Sequence, residues 1–243
     1  MILTTNQKEF FVNNKKQRVK VKPWKKVKFA MMFLIIVAIL SVMLYIKKYT
    51  RIKNVREFRA GVLLWRADNA FFDKKYDLSI ARYNAVAERY MNDTDPRLRF
   101  LAAYALYQKA DRFWRLGNSE KQIKAYDECV EHFHNETNPE ARGLVASVFT
   151  LKANTLLTLA KTNEAFMVFD ECITRFQNDP DHEVSKNIFY TFKRKAETLA
   201  RFGKTEEAIT TYNECLEKYK DEKGNSSRYY HMENERDALL KKE

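Results

Sequence analysis

Lys152 to Phe176, KANTLLTLAKTNEAFMVFDECITRF, is the stretch on which the fold turns, because it recurs almost in register on both sides. Downstream, Lys195 to Tyr219 reads KAETLARFGKTEEAITTYNECLEKY, and upstream, Lys109 to Phe133 reads KADRFWRLGNSEKQIKAYDECVEHF. A degenerate fourth copy runs from Arg66 to Tyr90. Tyr83, Tyr126, Phe169 and Tyr212 are spaced by 43 residues, as are Ala67, Ala110, Ala153 and Ala196. Constant spacing predicts one supersecondary unit stacked on itself, an architecture that makes binding surfaces more readily than reaction centres.

Within each copy the apolar positions follow a helical period. Phe149, Ala153, Leu156, Leu157 and Ala160 mark a first helix, and Ala165, Phe169, Cys172, Ile173 and Phe176 a second. First helices are expected over about 54–72, 97–116, 140–160 and 183–202, second helices over about 76–91, 119–134, 162–177 and 205–220. Gly117 and Gly203 fall where the two helices of a unit must turn, since glycine accepts the positive φ of a helix end. Asp95-Pro96, Asn138-Pro139 and Asp179-Pro180 punctuate the gaps between units.

These residues resemble the tetratricopeptide repeats. The third unit has Phe149-x₂-Lys152-Ala153-x₂-Leu156, then Ala165-x₃-Phe169-x₂-Cys172, then Pro180. The fourth has Phe192-x₂-Lys195-Ala196-x₂-Leu199, then Ala208-x₃-Tyr212-x₂-Cys215. The chain departs from the family in three ways. Lysine replaces the usual leucine, leucine replaces the second aromatic, and the 43-residue period exceeds the family's roughly 34. The period alone would equally admit armadillo-type solenoids; the small-x₃-aromatic-x₂-small spacing favours the tetratricopeptide class. The resemblance covers residues 60–221. It implies an all-α solenoid whose first helices line a concave groove. The family's groove positions fall on Tyr104, Tyr107, Asp111, Trp114 and Arg115, then on Asn154, Leu157 and Thr158, then on Tyr190, Lys193, Glu197 and Arg201. Trp, Tyr and Arg dominate binding hot spots, so these positions are the expected seat of a protein or peptide partner.

Outside the repeats lies a different composition. The net charge of +12 is concentrated at the front: residues 1–60 carry 15 Lys/Arg against 2 acids, and the remainder 29 against 30. A basic nucleic-acid groove across the repeat body is therefore disfavoured. Residues 29–46, FAMMFLIIVAILSVMLYI, hold no charge and stop at Lys47-Lys48. The run predicts an uncleaved transmembrane signal anchor. Residues 1–28 would then be a basic cytoplasmic tail touching anionic lipid, with the repeat domain over 54–221 on the far side of a bacterial inner membrane, in the periplasm. Three thiols sit poorly with an oxidising compartment. Residues 226–243 are expected to cap the array with a lone polar helix.

Nothing in the sequence points to catalysis, a cofactor or a metal. The histidines form no HExxH or Cys-x₂-Cys set, and no Gly-rich phosphate loop occurs. Cys129, Cys172 and Cys215 occupy one equivalent packing slot, and the acid pairs Asp127-Glu128 and Asp170-Glu171 recur on what reads as a solvated face. The function expected is a membrane-tethered interaction scaffold, ancillary to an envelope or secretion-related complex. The alternatives are a cytoplasm-facing adaptor, and a regulatory or sensor subunit of a membrane enzyme complex.

Overall fold

The computed structural model describes residues 23–222 and 227–241. Among them every regular element is helical. In chain order these are α1 (Pro23–Phe72), α2 (Tyr76–Tyr90), α3 (Pro96–Arg115), α4 (Ser119–Phe133), α5 (Pro139–Thr158), α6 (Thr162–Phe176), α7 (His182–Arg201), α8 (Thr205–Lys218) and α9 (Ser227–Leu240). A short 3₁₀ turn, Lys220–Glu222, precedes α9. The chain divides into two compact units, Met1–Val55 and Arg56–Glu243.

The expected transmembrane helix is overturned. Among the described residues no helix is long and apolar enough to cross a membrane. The apolar run is not an element of its own but part of the 50-residue α1. Lys47 and Lys48 close the run on its C-terminal side. The fold is therefore an all-helical, solenoid-like array without the predicted span, and the single-pass, inner-membrane, periplasmic location falls with it. The basic tail and its lipid contact lie on residues 1–28, outside the described side chains.

The second unit is built from antiparallel pairs. Helices α3, α5 and α7 each pack between the second helices that flank them, and α3–α5 and α5–α7 also touch directly. The core between them holds Tyr83, Leu98, Leu106, Phe133, Phe149, Phe169 and Ile188, all essentially buried. Phe149 and Phe176 meet edge to face at 6.1 Å, as do Phe189 and Tyr219 at 5.3 Å.

Three recurring devices fix the geometry. At each turn between paired helices one residue is left-handed: Lys74, Gly117, Ala160 and Gly203 have φ of 61°, 69°, 58° and 74°. This lets the next N–H reach back, as in Asn118 N to Phe113 O at 2.9 Å and Lys161 N to Leu156 O at 3.0 Å. Second, Asp95, Asn138 and Asp181 cap the first helices, accepting from Arg97, Glu140 and Glu183 N–H groups. Pro96 and Pro139 take the first helical turn as expected, but α7 starts after Asp181, so Pro180 stays outside the helix. Asp179 holds Arg142 at 2.6 Å. Third, Arg56–Asp93, Arg99–Glu136 and Arg142–Asp179 each tie the first helix of a unit to the loop behind its second helix.

The lysines that depart from the family pattern staple neighbouring units. Lys152 Nζ reaches Asp127 at 2.6 Å and Lys195 Nζ reaches Asp170 at 2.6 Å, each on the preceding second helix. Lys109 donates to Asn84 and to Glu128, both at 2.7 Å. Asp127 and Asp170 are thus not simply solvated acids. The cysteines are packing groups: each is buried and in no disulfide, and burial pushes the Cys129 and Cys172 thiols up to about 12.

Candidate functional site: a cleft between α3, α4 and α5

Each second helix carries an aromatic toward the groove side, and what surrounds its para position decides whether space remains. In the first unit Tyr83 bonds Asp68, and Arg112 from α3 reaches both Asp68 at 2.7 Å and the Tyr83 hydroxyl at 3.2 Å. Burial and the Asp68 hydrogen bond push the Tyr83 hydroxyl well above the usual phenol range, against the lowering pull of Arg112. The Arg112 guanidinium also lies 4.8 Å from the Phe71 ring and fills the gap.

One unit further on, Thr155 stands where Arg112 stood. Threonine is too short to fill the same volume, and a cleft of about 540 Å³ opens. That is within the roughly 300–1,000 Å³ of ligand pockets. Tyr107, Asp111 and Trp114 of α3 form one wall, Leu151, Asn154, Thr155 and Thr158 of α5 the other, and Gln122 and Tyr126 of α4 line it between them.

Two features of this cleft are chemical. Gln122 is 4% exposed and donates from Nε2 to the Tyr126 hydroxyl at 3.2 Å, while its Oε1 has no protein partner. A buried, unpaired amide oxygen costs about 1–3 kcal/mol, so it is an acceptor waiting for a donor. Burial pushes the Tyr126 hydroxyl up to about 12, with the Gln122 bond acting the other way, so it stays a neutral phenol. At the mouth Trp114 is 60% exposed, with the Arg115 guanidinium 5.8 Å from its ring. Asp111 accepts from Arg112 at 2.9 Å and from Arg115 at 2.8 Å, which holds the Arg115 arm beside the indole.

The residues expected from the sequence separate into three groups. Tyr107, Asp111, Trp114, Asn154 and Thr158 converge on the cleft. Tyr104 stands next to it, 6.0 Å from the Tyr107 ring and stacked on Phe100 at 6.3 Å; Arg115 braces Trp114; Leu157 is half-buried against the core. Burial and the Asp111 charge raise the Tyr107 hydroxyl. The third group lies away from the cleft. Lys193 is paired with Glu235 of α9 at 2.8 Å, Glu197 accepts from Arg194 at 2.7 Å, Arg201 lies over Phe202, and Tyr190 is exposed. Glu235 also accepts from the Tyr212 hydroxyl at 3.2 Å, so α9 engages that end of the groove. Gln122 and Tyr126 were missed as site residues, although the signal was present: Gln122 occupies the slot that is Ala165 and Ala208 in the next two units.

Among the described residues no three His, Cys, Asp or Glu side chains are grouped to hold a metal. Residues 103–131 and 194–221 each match a family model described as tetratricopeptide repeat. The first match covers most of α3 and α4 and so contains one wall of the cleft. Together with the all-helical repeating architecture, these matches support a tetratricopeptide-repeat protein. Neither spans a full 43-residue unit, so the longer repeat is not what they establish. A comparison with curated proteins finds no match.

Proposed function

We propose that the chain is a non-catalytic protein-interaction scaffold, and that the α3–α4–α5 cleft takes an extended segment of a partner protein. Tetratricopeptide motifs of the kind matched at 103–131 and 194–221 suggest the scaffold role, since such repeats generally bind protein partners rather than catalyse. The observation that carries the finer reading is the buried, unpaired Oε1 of Gln122, a residue that lines the cleft. A rotation of the Gln122 amide, whose oxygen is buried in the free protein, brings it to the N–H of an extended peptide backbone, and the Trp114 and Tyr107 rings cover the adjacent side chain. The helix starts at Pro96, Pro139 and His182 support a 43-residue step for the array, the extra residues over the family norm going into longer helices.

Display selection of a random peptide library on the full chain tests this. Peptides enriched by the wild type should lose binding at least about 30-fold to Trp114→Ala, the scale of a hot-spot residue. They should keep it with Tyr190→Ala, which lies outside the cleft. Equal retention by both variants, with helix content unchanged, would overturn the reading.

A further inference from the structure

The terminal helices of a solenoid normally present a polar outer face, because no further unit stacks on them. The C-terminal helix α9 conforms: its exposed positions include Ser227, His231 and Asn234, and the large apolar ones, Tyr230 and Leu240, are ten residues apart. The first repeat helix does not. Ala60, Leu64 and Ala67 of α1 are buried toward the array. On the opposite side Phe58, Trp65 and Phe72 are 74%, 63% and 77% exposed. Val62 and Asn69 fall between them, half-buried.

The spacing is diagnostic. Phe58, Trp65 and Phe72 are seven residues apart, and Val62 and Asn69 are seven apart and offset by four, so the set reads as alternating d and a positions of a heptad. A polar Asn at one a position is the device by which paired helices fix register and number. Gly61 on the flank adds an independent sign. Glycine inside a helix costs about 0.5–1 kcal/mol relative to alanine, yet among the described residues nothing lies within 4 Å of where its Cβ would stand. The missing Cβ leaves room for close approach by another helix.

We propose that two copies of this chain associate through α1, side by side and parallel, with Asn69 of one copy against Asn69 of the other. Among the described residues α9 carries no matching apolar stripe, so a head-to-tail contact finds no complementary surface there and the contact closes as a two-fold pair. The three aromatics expose on the order of 400 Å² per copy. Two copies then supply on the order of 800 Å², and Val62 and the flanking side-chain stems bring this toward the roughly 1,000 Å² that is the lower bound for a biological interface. The inference does not depend on the cleft, which lies on other helices.

Sedimentation equilibrium of the full chain tests it, with Trp65→Asp and Phe58→Asp as variants. Both positions are exposed, so the helical circular-dichroism signal should not change. The wild type should be a dimer, and each variant should raise its dissociation constant at least about 30-fold. A full chain carrying Asn69→Cys should also cross-link to its own copy with a short bismaleimide, since Cys129, Cys172 and Cys215 are buried. A monomeric wild type overturns the proposal, which includes the case in which residues 1–22 cover the stripe. So does a dimer indifferent to both Asp variants, or an Asn69→Cys chain that fails to cross-link.

Discussion

Gln122 makes a site and costs stability, and the repeat itself supplies the experiment that separates the two. The next unit has Ala165 and Phe169 where this one has Gln122 and Tyr126. The double variant Gln122→Ala with Tyr126→Phe therefore rebuilds the second unit in the image of the third. It removes the unpaired, buried Gln122 Oε1, worth about 1–3 kcal/mol of stabilisation. It also removes the 3.2 Å Gln122–Tyr126 hydrogen bond, a loss of about 0.5–1.5 kcal/mol. Alanine is the better helix former by a few tenths of a kcal/mol. The glutamine stem faces a cleft that is already open, so its removal enlarges that cleft rather than sealing a dry void. The net expectation is a gain of about 1 kcal/mol, near 2–4 °C in Tm for a body of this size. Thermal and urea unfolding followed by circular dichroism reads it, alongside binding of any peptide selected on the wild type. The account requires a more stable protein that no longer binds. A variant destabilised by more than about 1 kcal/mol would refute the reasoning, because the amide would then be a structural group rather than one held open for a ligand.

Three further outcomes follow from the repeating devices. Ala160→Gly should stabilise by about 0.5–1 kcal/mol in urea unfolding: Ala160 sits at φ 58° where Gly117 and Gly203 occupy the equivalent turns, and the relief of left-handed strain exceeds the entropy glycine adds to the unfolded chain. Phe169→Ala should cost about 3–5 kcal/mol by the same measurement, because a fully buried ring at the junction of two units is lost. Asp179 governs part of the acid limb. Burial pushes its carboxyl up, but Arg142 and the Asp181 N–H outweigh this and hold it below the ordinary value. A depressed folded-state pKa gives stability that is present above the unfolded carboxylate range and lost as pH falls through the lower folded value. Asp179→Asn should therefore lower stability at neutral pH and flatten its decline on acidification, as read by unfolding midpoints across a pH series.

The sequence carried the helical pairs because every unit repeats the same small and aromatic slots, so Ala153, Phe169 and Cys172 each had counterparts against which to be judged. Where a residue broke the pattern its neighbours in space had to be known. Lys152 and Lys195 read as departures from a family consensus; only the fold puts Asp127 and Asp170 beside them. Of the groove positions, Tyr107, Asp111, Trp114 and Asn154 do converge, while Lys193 is taken up by Glu235 of α9, an approach that no spacing along the chain discloses. The cleft lies where Thr155 stands in the slot that Arg112 fills one unit earlier, a volume difference legible only once both are seen beside the same aromatic slot. The hydrophobicity of 29–46 was plain in the sequence, but among the described residues it does not amount to a helix that can cross a membrane.

The most direct test of the cleft as a binding site is photo-cross-linking of a selected peptide to the full chain bearing a photoreactive residue in place of Thr158 or, separately, Tyr190. Thr158 lines the cleft and Tyr190 does not. The account predicts adducts from position 158, competed away by unlabelled peptide, and none above background from position 190. Adducts from 190 with none from 158 would contradict it.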